Sequence, residues 1–251
     1  MTHRHPGAAL LALSLASGSS LACREARAPS GPIDPPPARV VADAADWVRS
    51  SAEYRALALQ TWRAAATRLP ALVAGRAPGE WAVALDADET LLDNTPYQLQ
   101  LAELRRGHDP ELWRAWCRRR EAGAVPGAAE FLAEVRRLGG RIAVVTNRSQ
   151  PVCEDTEANL ESLGLPFDVV LCRPEDSRGE KQPRWDAIQQ GTAAPDLPPL
   201  EIVLWAGDNA GDFPGLTQAA RDEPGALEAF GDRFFVLPNP MYGSWESNPR
   251  R

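Results

Sequence analysis

Two pairs of carboxylates follow short apolar runs and could hold a metal ion. Asp86 and Asp88 stand at the end of one run, and Asp208 and Asp212 follow another. Carboxylates at the end of a buried strand are costly unless a cation or a partner compensates their charge. Carboxylate oxygens are the ligands that Mg²⁺ prefers. An Asp-rich turn or a helix cap would give the same local pattern, so each pair alone is weak evidence.

Three further residues could bind the oxygens of a phosphate group. Thr146 and Asn147 end a third apolar run, where a hydroxyl and backbone amides suit a phosphate oxygen, although both residue types also serve as helix N-caps. Lys181 is the only Lys of the sequence, and Arg184 follows it. Chance in an Arg-rich sequence is one explanation for the single Lys. The other is a task for which a compact ammonium is needed in place of a planar guanidinium.

The elements that would position these residues alternate between strands and helices. Most apolar runs are unbroken, which is typical of strands buried on both faces of a parallel sheet. The alternation indicates an α/β fold with a doubly wound, five-stranded parallel sheet, in which ligands bind beyond the carboxyl ends of the strands. The predicted strands are Trp81–Asp86, Ile142–Thr146, Phe167–Leu171, Ile202–Ala206 and Phe234–Leu237, and the predicted helices are Pro126–Leu138, Cys153–Leu163 and Gln182–Gln190.

Two helical regions lie outside this alternation. Apolar residues recur at helical spacing from residue 38 to about 75, which predicts one long helix or a broken pair. Residues 93–125 form a helical insertion after the first strand, and we expect it to be a small cap over the strand ends. Trp113 of this insertion and Tyr242 of the last loop could overhang the site. Alternatively, both rings are packing or interface residues.

In this order, and on one edge of a predicted sheet, the motifs resemble those of the haloacid dehalogenase superfamily. These are D-x-D-x-T/V, a strand-ending Ser or Thr, a Lys, and G-D-x-x-x-D. More narrowly, the sequence resembles the class C acid phosphatases, which are bacterial lipoproteins related to plant storage proteins. The narrower resemblance covers about residues 40–248 and rests on ALDADETLLDNTPY (84–97), AVPGAAEF (124–131), VTNR (145–148), Lys181-x-x-Arg184, GDNAGDF (207–213) and LPNPMYGSWE (237–246).

The resemblance implies a magnesium-dependent acid phosphatase that forms an aspartyl phosphate. Asp86 would be the nucleophile, and Asp88 would protonate the leaving alcohol and then deprotonate water. Mg²⁺ would be held by the Asp86 carboxylate, the Asp88 backbone carbonyl and Asp208. Thr146 and Lys181 would bind the other phosphoryl oxygens.

The resemblance also implies auxiliary and substrate-binding residues. Asn147 would join the phosphate site, with Asp212 and Arg184 as auxiliary residues; Asp212 would fix metal-bound water or orient Lys181. Trp113 and Tyr242 match an aromatic pair that sandwiches a nucleobase. Nucleoside monophosphates are therefore expected among the small phosphomonoester substrates.

The first 22 residues have the order of an export signal. A basic start precedes an uncharged run, Ala8 to Ala22, that is too short to span a bilayer and ends in small residues. Cys23 follows, as a lipidated Cys does in bacterial lipoproteins, but Ser20-Leu21 reverses the usual order and leaves lipidation open. Residues 23–37 are predicted to be a Pro-rich tether before a phosphatase domain at 38–251. We expect a periplasmic protein or one anchored to the outer membrane.

Length, charge and cysteines set further limits. The chain of 251 residues fits one domain with a small insertion, and its net charge of −7 argues against binding a nucleic-acid polymer. Besides Cys23 there are Cys117, Cys153 and Cys172, which allow one disulfide and one free thiol without identifying the pair. A homodimer is compatible with the sequence, which does not fix the oligomeric state.

Two other functions compete with hydrolysis. One is a surface lipoprotein that captures a ligand without catalysis, or a storage-type relative with a decayed site. The complete set of motif residues argues against decay. An ATP-driven phosphotransferase is disfavoured because ion-pumping ATPases of the superfamily have Thr at the position of Asp88.

Overall fold

Five parallel strands form the central sheet of the chain, whose computed structural model describes residues 38–249. The strand order is β5-β4-β1-β6-β7, so β1 lies in the middle between β4 and β6. The predicted fold class is confirmed. The strands are β1 (Trp81–Leu85), β2 (Leu92–Asp93), β3 (Gly123–Ala124), β4 (Arg141–Ser149), β5 (Val169–Arg173), β6 (Glu201–Gly207) and β7 (Phe234–Val236).

Helices cover both faces of this sheet. All residues of β1 are buried, and they alternate between two apolar clusters. Val83 and Leu85 pack with α2 (Ala52–Leu72) and α5 (Ala128–Arg137), whereas Ala82 and Ala84 pack with α7 (Gln182–Gln190) on the other face. This explains why the sequence of β1 is an unbroken apolar run. The helices are α1 (Ala38–Ser50), α2 (Ala52–Leu72), α3 (Thr95–Glu103), α4 (Pro110–Arg119), α5 (Ala128–Arg137), α6 (Cys153–Ser162) and α7 (Gln182–Gln190).

The N-terminal helical region is a broken pair, α1 and α2. Ser51 separates the two helices, because its side chain accepts a hydrogen bond from the Tyr54 backbone amide at 3.0 Å and caps α2. No helix among residues 38–249 combines the length and the apolar character needed to cross a membrane.

The insertion after β1 consists of α3 and α4, enclosed by the antiparallel pair β2 and β3. Asp109 caps α4 by accepting hydrogen bonds from the next two amides of the helix, at 2.9 and 3.1 Å. The end of α4 is tied to α6 by an ion pair between Arg120 and Asp155 and by two hydrogen bonds between Asn159 and the backbone of Ala122. The insertion is therefore fixed to the sheet domain.

One disulfide joins α6 to β5. Cys153 and Cys172 form it, with their Cα atoms 5.8 Å apart, and Cys117 is a buried free thiol. This pairing was left open by the sequence.

Candidate active site

The carboxyl ends of β1, β4 and β6 bring the predicted site residues together. Asp86 follows β1 directly, and its backbone amide donates to the carbonyl of Ala206 at 2.9 Å, which keeps it in line with β6. Asp208 follows β6, and Thr146 lies near the end of β4. Because the three strands are parallel neighbours, the two acidic motifs meet at one edge of the sheet.

Asp86, Asp208 and Asp212 form a cluster of carboxylates suited to one cation. Each offers an oxygen atom, and these atoms all lie within 4.8 Å of one another. A Cβ on Gly207 would stand 2.3 Å from the Asp212 side chain, so only glycine lets Asp212 approach this closely. Three such carboxylates lie beside a single ammonium, which leaves net negative charge, and hard oxygen donors of this kind fit Mg²⁺.

The electrostatics of the cluster indicate the same need for a cation. Burial raises the pKa of Asp86 to about 7; Asp212 and Asp88 add to this effect, and Lys181 opposes it. Burial, with the charges of Asp212 and Asp86, raises the pKa of Asp208 well above its usual range. A divalent cation would relieve this repulsion and favour the ionised carboxylates.

Lys181 lies directly before α7 and forms ion pairs with two members of the cluster. Its Nζ contacts Oδ1 of Asp86 and lies 2.6 Å from Oδ1 of Asp212. Burial opposes the charged ammonium, but attraction to Asp212 and Asp86 outweighs it and raises the pKa of Lys181. The only Lys of the chain therefore lies, charged, beside the predicted nucleophile.

Arg184 fixes the loop that carries Lys181 to the ends of β4 and β5. Its guanidinium donates to the carbonyls of Thr146, Leu171 (3.2 Å) and Gly179 (3.3 Å), and to Oδ1 of Asn147 at 2.7 Å. Arg184 thus positions the loop of Lys181. Asn147 is exposed, and its side-chain carbonyl oxygen accepts from the Arg184 guanidinium.

A shift in register explains how β4 presents its last residues. The pairing of β4 with β5 shifts between Val145 and Ser149, which is where the VTNR motif ends. Within it, Thr146 is buried and accepts a hydrogen bond from the Arg148 amide at 3.1 Å, Asn147 is exposed, and Arg148 is buried. Irregularities of this kind re-aim side chains near active sites.

Two neighbours of Asp88 in the candidate site are absent from the set of predicted site residues. Oδ1 of Asp88 accepts hydrogen bonds from Arg148 Nε at 2.9 Å and from Asn94 Nδ2 at 2.8 Å, and it forms an ion pair with a terminal nitrogen of the same guanidinium at 2.8 Å. Both partners are almost fully buried. Their motifs were noted in the sequence, but burial is the signal that identifies them, and the sequence of an Arg-rich chain does not show it.

Two more partners of the acidic residues were missed. Asn239 Nδ2 donates to Oδ2 of Asp208 at 2.7 Å. Glu89 has φ of +55° and a buried carboxyl group that accepts from the Asn94 amide at 3.0 Å; burial raises its pKa. The turn after Asp88 therefore directs one more carboxyl group into the protein.

Trp113 and Tyr242 have different neighbours in the structure. Trp113 is partly buried, contacts Tyr97 edge to face with ring centroids 5.1 Å apart, and has the Arg148 guanidinium 5.5 Å from its ring centroid. Tyr242 packs beside α1, and the next residue but one, Ser244, donates to Oδ1 of Asn209 at 2.8 Å. Among the described ring contacts there is none between Trp113 and Tyr242.

Comparisons with known proteins agree with this architecture. The class C acid phosphatase of Bacillus anthracis is 31% identical and superposes with a TM-score of 0.72 over 83% of this chain and 88% of that one. A second structure of that enzyme, with tungstate bound, is 30% identical with the same TM-score and covers 83% and 87% of the two chains.

A curated plant relative and a family model extend the comparison. Acid phosphatase 1 of Solanum lycopersicum is 26% identical over 158 residues, which is 62% of this chain and 56% of the tomato protein, so the chain spans little more than half the length of that relative. The family model described as HAD superfamily, subfamily IIIB (acid phosphatase), matches residues 10–245. The resemblance predicted from the sequence is confirmed, and the chain belongs to subfamily IIIB of the HAD superfamily, the acid phosphatase family.

Proposed function

We propose that this protein is a magnesium-dependent acid phosphatase that hydrolyses small phosphomonoesters through an aspartyl phosphate on Asp86. The observation that carries the proposal is the position of Asp86, which lies beside the Lys181 ammonium and beside the carboxylates of Asp208 and Asp212, where a divalent cation could be held. A carboxylate next to an ammonium and a cation site can approach a phosphorus atom whose negative oxygens those two positive charges would neutralise.

In the proposed first step, an oxygen of Asp86 bonds to phosphorus while the ester P–O bond breaks. The electron pair of that bond goes to the leaving oxygen, which takes a proton from Asp88. Lys181 offers positive charge to the phosphoryl oxygens throughout the transfer. In the second step Asp88 takes a proton from water, whose oxygen bonds to phosphorus, and the Asp86 carboxylate is released.

The residues that would hold Mg²⁺ are Asp86 and Asp208, with the Asp88 carbonyl, and Asp212 beside them. Their oxygen atoms suit this cation, because three carboxylates converge within 4.8 Å, and burial together with neighbouring negative charge raises the pKa values of Asp86 and Asp208. When bound, Mg²⁺ would draw negative charge off the phosphoryl oxygens.

The substrate class extends the proposal to nucleoside monophosphates. The Trp113 ring lies beside Arg148 of β4, and Ser244 in the loop of Tyr242 donates a hydrogen bond to Asn209, which follows β6. Two aromatic rings near a phosphate site would favour a flat base, since stacking contributes about 1–3 kcal/mol per base. The Bacillus anthracis relative has a structure with tungstate bound, and tungstate is a tetrahedral oxyanion like phosphate.

We also propose export to the periplasm or outer membrane. The predicted signal at residues 1–22, the lipidation site at Cys23 and the tether at 23–37 all lie outside the described residues. The disulfide between Cys153 and Cys172 supports export, because such bonds persist mainly in oxidising compartments.

The test uses the chain from residue 23 onward, with Cys23→Ser, and 4-nitrophenyl phosphate as substrate. We expect turnover with Mg²⁺, its loss in a chelator and its return when Mg²⁺ is restored. After a rapid acid quench, mass spectrometry should find one phosphoryl group on the peptide that contains Asp86. Turnover that is indifferent to the chelator would exclude the metal. No turnover on any phosphomonoester would favour ligand capture.

A further inference from the structure

The carboxyl group of Asp88 is held by one oxygen only. Oδ1 accepts two hydrogen bonds, one from Arg148 Nε at 2.9 Å and one from Asn94 Nδ2 at 2.8 Å, and a terminal nitrogen of the Arg148 guanidinium forms an ion pair with it at 2.8 Å. Among residues 38–249, no group donates to Oδ2, and the Asp88 side chain keeps 17% of its exposure. Two hydrogen bonds occupy both lone pairs of that oxygen. Oδ2 is therefore the oxygen that is free to exchange a proton.

Arg148 is itself fixed in one orientation. Its side chain is fully buried. One terminal nitrogen donates to Oδ1 of Asn94 at 3.1 Å, and the other donates to Thr156 on α6 at 3.4 Å. The Trp113 ring lies over the guanidinium. Because the planar Arg148 guanidinium has several partners, it fixes both the position and the rotation of the Asp88 carboxyl group.

Asn94 links this arrangement to the inserted helix α4. Its Oδ1 accepts from Trp116 Nε1 at 2.8 Å, while its Nδ2 donates to Asp88. Both Asn94 and Trp116 are buried. The orientation of the Asn94 amide is therefore fixed. Its Oδ1 accepts from the Trp116 indole and the Arg148 guanidinium, which leaves its Nδ2 to donate to the Asp88 carboxylate.

Resting on the proposed function, we infer that Arg148 and Asn94 are positioning residues that aim Oδ2 of Asp88 at the leaving-group oxygen. The Trp116 N–H keeps Asn94 in the orientation that this requires. During transfer the proton passes from Oδ2 to the ester oxygen as the P–O bond breaks, and water returns it in the second step. Misplacing a catalytic group by about 1 Å costs on the order of a hundredfold in rate.

A purely structural role predicts a different result. If Arg148 only neutralises a buried carboxylate, its loss should lower the activity on every substrate by the same factor. If it aims the general acid, the loss depends on how much the leaving group needs a proton. The informative quantity is kcat/KM, because it reports formation of the aspartyl phosphate and not its hydrolysis.

The test compares an alkyl ester, glycerol 2-phosphate, with 4-nitrophenyl phosphate, whose leaving group needs little protonation. Arg148→Met should lower kcat/KM about a hundredfold on the alkyl ester and less than about tenfold on the aryl ester. Trp116→Phe removes one N–H and little volume, and its loss on the alkyl ester should be about tenfold. The matched control is Trp62→Phe, since the buried Trp62 Nε1 has no partner among the described residues.

Asp88→Asn separates this inference from the proposed function. This variant should lower kcat/KM more on the alkyl ester than on the aryl ester. The double variant with Arg148→Met should show no larger difference between the two esters. An equal loss on both esters for Arg148→Met and Trp116→Phe, with a selective loss for Asp88→Asn, would overturn the inference and leave the mechanism intact. Equal losses for Asp88→Asn as well would remove the general acid and the inference together. If Arg148→Met does not fold, Trp116→Phe decides alone.

Discussion

The Nζ of Lys181 lies 2.6 Å from Oδ1 of Asp212 and also pairs with Oδ1 of Asp86. One ammonium therefore bridges the proposed nucleophile and a carboxylate that follows β6. Lys181 is 4% exposed, and the two carboxylates raise the pKa of its ammonium although burial opposes the charge. The space between Asp86 and Asp212 therefore holds one compact cation, with a carboxylate on each side.

Lys181→Arg should therefore lower kcat/KM by about 10² or more, even though the charge is kept. A guanidinium is a wide planar fork and would displace one of the two carboxylates. Loss of one preorganised cationic donor has about this size. Arg49→Lys, on the exposed surface of α1, is the control and should leave the rate unchanged. A Lys181→Arg enzyme within about twofold of wild type would refute the proposed role of the ammonium.

Gly207→Ala should weaken magnesium binding without a change of charge. The new Cβ would meet the Asp212 carboxylate at 2.3 Å, so Asp212 must move out of the cluster. We expect the Mg²⁺ concentration for half-maximal activity to rise about tenfold, and overpacking to cost about 1–3 kcal/mol of stability. The control is Gly123→Ala on β3, where an added Cβ meets nothing within 4 Å. Equal Mg²⁺ requirements in both variants would contradict the prediction.

Asp86→Asn should lower kcat by about 10⁴ or more with the fold intact, because an amide of nearly the same shape is no nucleophile. Activity and the yield of the phosphorylated peptide are the two measurements. Asp232→Asn, which removes a surface carboxylate paired with Arg68, serves as the control. Turnover within about tenfold of wild type would eliminate the aspartyl phosphate from the mechanism.

The residues whose positions in the fold the sequence predicted best are those that directly follow strands. Asp86 and Asp208 end unbroken apolar runs, and parallel strands bring their ends to one edge. Lys181 was identified by its type, since it is the only Lys in the sequence. The fold class and the helices between the strands were also predicted, because the spacing of apolar residues that identifies each element lies within a short stretch of sequence.

The residues that escaped prediction depend on tertiary contacts. Arg148 is one Arg among many, and only its burial against Asp88 distinguishes it. Asn94 reaches Asp88 only through the fold of the turn after β1, and Asn239 reaches Asp208 because the residues after β7 lie beside the end of β6. The pairing of Cys153 with Cys172 requires the packing of α6 on β5, which cysteine spacing does not specify.

The metal-free protein should lose stability as the pH rises from about 4 to about 7. The pKa of Asp86 is raised to about 7 by burial, against roughly 4 when unfolded, so the folded state binds this proton more tightly. Stability contributed by that proton is present at low pH and falls by as much as about 1.4 kcal/mol per pH unit across the window. The Lys181 contribution stays constant there, because both of its pKa values lie far above 7.

The measurement is the increase in melting temperature that Mg²⁺ produces over a chelator, taken between pH 5 and pH 8. The increase should grow with pH, because the metal binds ionised carboxylates and competes with protons. In Asp86→Asn the dependence on pH should be weaker. An increase of the same size at every pH would show that the three carboxylates do not titrate with metal binding.

The last prediction concerns the aromatic residues Trp113 and Tyr242. If Trp113 and Tyr242 hold a nucleobase, kcat/KM for adenosine 5′-monophosphate should fall about 10- to 100-fold in Tyr242→Ala, since stacking contributes about 1–3 kcal/mol. Ribose 5-phosphate has the same phosphate ester and no base, so its kcat/KM should change little. Inosine and cytidine monophosphates should behave like the adenosine ester, because every base offers a π-face.

Trp113→Ala should also lower kcat/KM more for the nucleotide than for ribose 5-phosphate. In this variant, however, kcat/KM for ribose 5-phosphate should fall as well. That added loss follows from the contact between Trp113 and Arg148, which would be removed together with the stack. Trp47→Ala is the control for Tyr242, because both rings belong to the apolar cluster beside α1. If Tyr242→Ala and Trp47→Ala lower the activity on the nucleotide and the sugar phosphate alike, Tyr242 supports the packing of α1 and holds no base.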